Sequence, residues 1–317
     1  MKKDLVSIKD LTCQEIEELF DLAVKLKRDK NKFNKALSGK TLALIFQKPS
    51  NRTRVSFEVG MYQLGGNSVY LSPSEINLGV RETIKDAAKT ISRYVDGIVL
   101  RTFEHKNCLD MAQAAGVPVI NGLSDFSHPC QALADLFTIG EKFLRFSHPA
   151  QKMTRRLKGL TLAYVGDGNN VCNSLLFAAA KTGMNIAVAT PAGYAPDAQV
   201  VKQSKEIAKE TLSQITITQD PSSAVNGAQV VYTDVWASMG QEEEISKRKI
   251  IFKDFQINAR LLTNAAPGVL VMHCLPAHRG EEITDEVMDS RNSVVFDQAE
   301  NRMHVQKAIL IKLLGKN

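Results

Sequence analysis

Residues 47–54 read Gln47-Lys48-Pro49-Ser50-Asn51-Arg52-Thr53-Arg54. They lie between a strand-like run, TLALIF at 41–46, and a helix-like run, VSFEVGMYQL at 55–64. A strand that enters a helix through a short turn leaves backbone N–H groups unpaired at the positive end of the helix dipole. That is an anion site in outline. The turn adds two hydroxyls, Ser50 and Thr53, and two guanidiniums, Arg52 and Arg54. Arg forks match phosphate oxygens in pairs, and charge-assisted bonds are about twice as strong as neutral ones. A plain N-cap serine would account for Ser50. It would not account for cations in a first turn, where the dipole favours Asp or Glu.

The same alternation continues on both sides. An amphipathic helix is expected over 12–36, opened by Thr12 and Glu15 as a capping box, with the basic tail 25–35 as a solvated face. Strands are expected at 68–71, 97–100 and 117–121, with helices at 83–94, 107–115 and 130–144 and a polar loop at 72–82. The stretch FLRFSHPAQKMTRR at 143–156 carries a proline and a basic cluster, and the domain boundary is expected there. A second series begins with a strand at 160–165, a glycine turn at 166–168 and a helix at 171–183. A strand at 185–190, a helix at 198–211, strands at 229–233, 270–273 and 293–296, and a closing helix at 299–314 follow. Strands alternating with helices imply parallel βαβ units covered on both faces. The fold class is α/β: two domains, each an open, mainly parallel sheet with helices on both faces. Ligands in such folds gather at the carboxyl ends of strands, here between the halves.

Composition limits the function. The chain has 317 residues, 44% hydrophobic and 23% charged, an ordinary globular profile. No run approaches the roughly 18 apolar residues of a membrane helix, and the opening MKKDLVSIKD lacks a signal-peptide core. Five cysteines, widely spaced and without a C-x-x-C pair, argue for reduced thiols and a cytoplasmic setting. The net charge of +6 suits an anionic small substrate or nucleic acid. With aromatics at only 6% and no basic stripe interleaved with them, nucleic acid is disfavoured.

Five polar clusters follow expected strands: 50–54, Arg101-Thr102, 166–170, 234–240 and 273–276. Active residues in open sheets come from such loops. Arg101 either leaves the sheet as a surface charge, or clamps a phosphate or carbonyl oxygen. His128, before Pro129, is a turn histidine or a donor to a carbonyl, and Gln131 can read an amide. The turn Gly166-Asp167-Gly168-Asn169-Asn170 is not a dinucleotide fingerprint. Val171 replaces the third glycine, and no acid follows the next strand. Asn170 remains a polar contact. Asp234 offers an acceptor for an amino acid's ammonium, and Ser238 a donor for its carboxylate. The segment 241–249 reads as a solvated helix face. His273 and Cys274 have no second pair at ligand spacing, so no metal is expected. Cys274 suits a contact role better than an acyl intermediate.

Jointly these stretches resemble the aspartate/ornithine carbamoyltransferase family, its ornithine branch most closely, over nearly the whole chain. The resemblance is carried by KPSNRTR (48–54), SHPCQALADL (127–136), GDGNN (166–170), DVWASMGQEEE (234–244), HCLP (273–276) and AENR (299–302). The SMG loop and HCLP separate the ornithine branch from the aspartate one. The resemblance implies a homotrimer of two-domain subunits that needs no cofactor. Residues 1–145 would bind carbamoyl phosphate and 150–298 ornithine, with the helix 299–317 packing back on the first domain. By similarity Ser50, Asn51, Arg52 and Thr53 hold phosphate, and Arg101 and His128 bond phosphate and carbonyl oxygen. Gln131 and the Leu275 backbone hold the carbamoyl amide, with Arg302 nearby. Asn170, Asp234, Ser238 and Met239 match positions that hold ornithine, and Cys274 lies beside its δ-amine. Asn77 matches a position that reaches a neighbouring subunit's site. The family's usual turn has Thr where Asn51 stands; the amide can still donate, so phosphate binding is expected to survive. A sister transferase acting on N-acetylornithine or putrescine would share the phosphate half. Turnover with each amine separates that reading; a non-catalytic homologue is the other alternative, and a citrulline assay discriminates it.

Overall fold

The computed structural model describes residues 1–29, 31–143, 151–237 and 244–315. The chain forms two compact units, Met1–Phe137 with Glu300–Asn317, and Thr138–Ala299. Of the stretch 143–156, residues 144–150 lie outside the described ones. Among the described residues no helix is long and apolar enough to cross a membrane.

The first unit holds four parallel strands, β1 (Thr41–Phe46), β2 (Asn67–Leu71), β3 (Gly97–Arg101) and β4 (Val119–Leu123), in the order β2-β1-β3-β4. Successive β1 side chains leave on opposite faces. Ala43 and Ile45 join the cluster of Ile98 and Leu100, while Leu42, Leu44 and Phe46 are buried on the other face. Burial on both sides is why TLALIF is continuously apolar rather than alternating. The chain runs from β1 out to β2, then crosses back to β3. The strand order therefore reverses between β1 and β3, the switch point where open sheets hold ligands.

The second unit holds β5 (Thr161–Val165), β6 (Asn185–Ala189), β7 (Ile215–Thr218), β8 (Val230–Thr233) and β9 (Leu270–His273), all parallel, in the order β7-β6-β5-β8-β9. Its switch point lies between β5 and β8. There Tyr164 and Tyr232 are register partners and stack with centroids 5.8 Å apart.

Several elements differ from expectation. The first helix is Cys13–Arg28, not 12–36: Asp29 ends it, its carboxylate accepting the N–H groups of Asn31 and Lys32. The capping box of Thr12 and Glu15 is present. The turn residues 51–54 are already helical, because Ser50 caps a helix Asn51–Gln63. The 72–82 loop contains a short helix, Pro73–Ile76. Residues 293–296 are not a strand. Ser293 makes one bridge to Val271, and then a helix runs Val295–Leu314. That helix enters the first unit at Glu300, where Lys307 Nζ bonds Gln63 Oε1 at 2.9 Å and Lys312 pairs with Glu18 at 2.7 Å.

Candidate functional site

At the first switch point the turn after β1 lies beside the end of β3. Phe46 and Arg101 are register partners, and Gln47 N–H donates to the Arg101 carbonyl at 2.8 Å. The Ser50 hydroxyl accepts from Thr53 N–H at 3.3 Å and donates to the Thr53 hydroxyl at 3.1 Å. Arg302 Nη2 donates to that same Thr53 oxygen at 2.5 Å. Both lone pairs of Thr53 Oγ1 are then engaged, so its own hydrogen is what the hydroxyl has left to offer. Asn51 and Arg52 are exposed on the helix start. Arg54 is turned to other work: its Nε bonds Glu58 at 2.9 Å and its guanidinium lies 3.8 Å from the Tyr70 ring centre.

His128 is placed by a tight turn. Ser124 N–H donates to the Ser127 carbonyl at 3.0 Å, and buried Asn121 reaches both that carbonyl and the Val6 carbonyl through Nδ2. The imidazole is buried, and burial holds its pKa well below the ordinary value. Arg302, Arg101 and Lys48 press it down further, in that order. At neutral pH it is an uncharged ring carrying one N–H. Lys48, Arg101 and Arg302 are themselves buried. Three buried cations around a neutral donor favour an oxyanion at this point. One turn along the helix Pro129–Lys142, Gln131 Nε2 donates to Asp135 Oδ1 at 2.8 Å.

At the second switch point Asn169 caps the helix Asn170–Thr182. Its Oδ1 accepts from Val171 and Cys172 N–H, and its Nδ2 donates to Asp234 Oδ2 at 2.7 Å. Asp234 Oδ1 accepts from Val235 N–H at 2.8 Å and from the Cys274 thiol at 2.9 Å. A carboxylate held by three donors is fixed in place while keeping lone pairs for an ammonium. Gly168 serves a chain crossing: a Cβ there would sit 2.2 Å from Pro196 N. Beneath the site Arg248 Nη1 bonds Asp167 Oδ2 at 2.9 Å and the Trp236 carbonyl at 2.7 Å. Burial pushes the Asp167 carboxyl up to about 6, and the Arg248 guanidinium limits the rise.

Asp234, His273 and Cys274 bring ligand-type atoms within 4.8 Å of one another. His273 is not open to a metal, because its Nδ1 accepts from Leu275 N–H at 2.9 Å and its Nε2 faces Glu282 Oε1 at 3.0 Å. That pair of bonds also holds Leu275, whose φ is +58°. A second group, His278, Glu281 and Glu282, is likewise engaged. Lys249 pairs with Glu281 at 2.7 Å, and Glu282 Oε1 also accepts from His278 N–H.

Residues 3–141 match the family model for the carbamoyl-P binding domain of aspartate/ornithine carbamoyltransferase, and 158–313 match the one for its Asp/Orn binding domain. A curated relative from Thermococcus kodakarensis, named ornithine carbamoyltransferase, is 53% identical over 99% of this chain and 96% of its own length. One from Pyrococcus furiosus, named as the anabolic enzyme, is 52% identical over the same shares. The solved ornithine carbamoyltransferase of P. furiosus superimposes with a TM-score of 0.92 at 51% identity, covering 98% of this chain and 96% of that one. That of Gloeobacter violaceus gives 0.87 at 48%, covering 99% of each. The chain belongs to the aspartate/ornithine carbamoyltransferase family.

In this member of the family the structure joins Ser50, Thr53, Arg302, Arg101 and His128 in the first unit, and Asp234 with Cys274 in the second. Asn170 is buried in the first turn of its helix. Asn77 is exposed, with φ +39°, at the end of the helix Pro73–Ile76. Ser238 and Met239 lie outside the described residues, as do 241–243 of the expected solvated face; Ile245–Ile251 is helical. Residue-by-residue reading missed Lys48, Asn169 and Asp135. Asn169 adjoins Asn170, Lys48 opens the KPSNRTR stretch two residues before Ser50, and Asp135 stands four residues after Gln131, one helical turn away.

Proposed function

We propose that the chain is an ornithine carbamoyltransferase, transferring the carbamoyl group of carbamoyl phosphate to the δ-amine of L-ornithine to give L-citrulline and phosphate. The observation that carries the reading is the Arg302–Thr53 bond, which ties the AENR segment to the KPSNRTR turn at the first switch point. Ser50, Asn51, Arg52, Thr53 and Arg101 would hold the phosphoryl oxygens, with Asn77 serving a neighbouring subunit's site. His128, Arg101 and Thr53 would donate to the carbamoyl oxygen, and Gln131 with the Leu275 backbone would take its amide. Asn170, Asp234, Ser238 and Met239 would hold the amino-acid end of ornithine, with Cys274 beside the reacting amine.

The neutral amine attacks the carbamoyl carbon, and the tetrahedral intermediate collapses with loss of phosphate. Each donor well placed on the developing oxyanion contributes about 3 kcal/mol. A δ-amine titrates near 10, by analogy with lysine, so a proton must leave before attack. The bond between Cys274 and Asp234 supports a part for the thiol in that loss. Asp234 as an acceptor for an α-ammonium favours free ornithine over N-acetylornithine. Subunits would work as a homotrimer. Five cysteines outside any disulfide support a reducing compartment, the cytoplasm. The test is formation of the ureido product from carbamoyl phosphate with ornithine, N-acetylornithine or putrescine offered separately: citrulline, N-acetylcitrulline or N-carbamoylputrescine respectively. Turnover with ornithine alone is expected; no product with any amine would refute the assignment.

A further inference from the structure

Gln131 and Asp135 lie four residues apart on one face of the helix Pro129–Lys142, both buried. Gln131 Nε2 donates to Asp135 Oδ1 at 2.8 Å, while Gln131 Oε1 is buried and has no hydrogen-bond partner. The orientation of that amide is forced rather than chosen. A carboxylate oxygen accepts, so the NH₂ end faces Asp135 and the oxygen faces the other way. A buried acceptor left without a donor is costly, and such groups in folded proteins call for an explanation. A ligand bearing N–H at that position would supply the missing bond.

We propose that Asp135 is a specificity-determining positioning residue. It locks the Gln131 amide with its oxygen toward the substrate, so that the site selects an acyl phosphate carrying NH₂. This rests on the carbamoyl phosphate reading above. Acetyl phosphate has nearly the same shape, but places a methyl group where carbamoyl phosphate has its amide. It would leave Gln131 Oε1 unmatched, the situation in which a polar pocket rejects an analogue most strongly. Asparagine at 135 would remove the lock, because its own NH₂ can donate to Gln131 and let the amide turn over.

The test compares wild type with Asp135→Asn, measuring kcat/KM for carbamoyl phosphate and the inhibition constants of acetyl phosphate and inorganic phosphate. For Asp135→Asn, kcat/KM should fall by about tenfold, the worth of one hydrogen bond, while both inhibition constants stay within about twofold. Unchanged kcat/KM in folded Asp135→Asn overturns the proposal. So does a parallel loss of all three ligands, which would mark a merely structural role. If Asp135→Asn does not fold, Gln131→Met decides. It should show the same narrowed preference for carbamoyl over acetyl phosphate, and an intact preference overturns the proposal. A wild type that makes no citrulline refutes the functional reading itself, and this inference falls with it.

Discussion

Replacing Arg248 with methionine keeps much of the side-chain volume and removes the charge from beneath the second switch point. Arg248 is 5% exposed. Its guanidinium bonds Asp167 and the Trp236 carbonyl through Nη1 and Glu244 through Nε, and lies 4.8 Å from the Tyr194 ring centre. Removing one partner of a buried pair leaves an uncompensated charge, at a cost of about 3–5 kcal/mol. The pH dependence identifies the cause. Asp167 rises from 3.8 to about 6 in the folded protein even with Arg248 present. Between those values the folded state binds more protons than the unfolded one. Its stability is therefore fully present below pH 3.8 and falls as pH climbs toward 6, by about 3 kcal/mol at 1.36 kcal/mol per unit. Without Arg248 the carboxyl rises further; at pH 5 it is mostly neutral in both proteins, so the loss there is that of the bonds to the Trp236 carbonyl and Glu244. Urea unfolding of both proteins at pH 5 and pH 7, followed by the fluorescence of Trp236, the chain's one tryptophan, gives the difference at each pH. The penalty should be about 3–5 kcal/mol at pH 7 and about 1 kcal/mol smaller at pH 5. A penalty below about 1 kcal/mol, or one equal at both pH values, would show that the pair does not carry the stability ascribed to it.

The site carries further expected outcomes. Cys274→Ser should lower kcat roughly tenfold and move the alkaline limb of the pH–rate profile; an unmoved profile argues against any part for the thiol in amine deprotonation. His128→Ala should lower kcat by about 10²–10³. The wild-type profile should show no imidazole ionisation near pH 6.5, because the folded pKa is depressed. For the same reason the unfolded chain binds the extra proton first, so stability falls as pH drops below about 6.5. Gly168→Ala should destabilise by about 2–3 kcal/mol in thermal or urea unfolding, since its Cβ would meet the Pro196 backbone at 2.2 Å; a neutral variant would refute the close crossing.

The central strands were readable because their runs are apolar and continuous: TLALIF, GIVLR and LTLAYV lie inside sheets with both faces covered. The edge was not. Ile215–Thr218 (ITIT) is a short, half-exposed strand at the end of its sheet, and four alternating residues give too little signal to separate it from a loop. SVVF at 293–296 failed in the opposite direction. β-branched residues favour a strand, but Val294 pairs with Val271 at the sheet edge and its carbonyl then accepts Gln298 N–H, so packing overrides propensity. The candidate site divides along the same line. Motif residues could be named because turns after strands are where open sheets keep chemistry. The residues that aim them, Asn169 on Asp234 and Asp135 on Gln131, have no signature of their own. Each acts by occupying one end of a polar group so that the other end is presented, and a sequence specifies which groups exist, not which end faces out. Hydrogen-bond polarity therefore has to be worked out partner by partner in three dimensions, and here that accounting assigns Asp135 a task that its spacing alone would describe as one more helical neighbour.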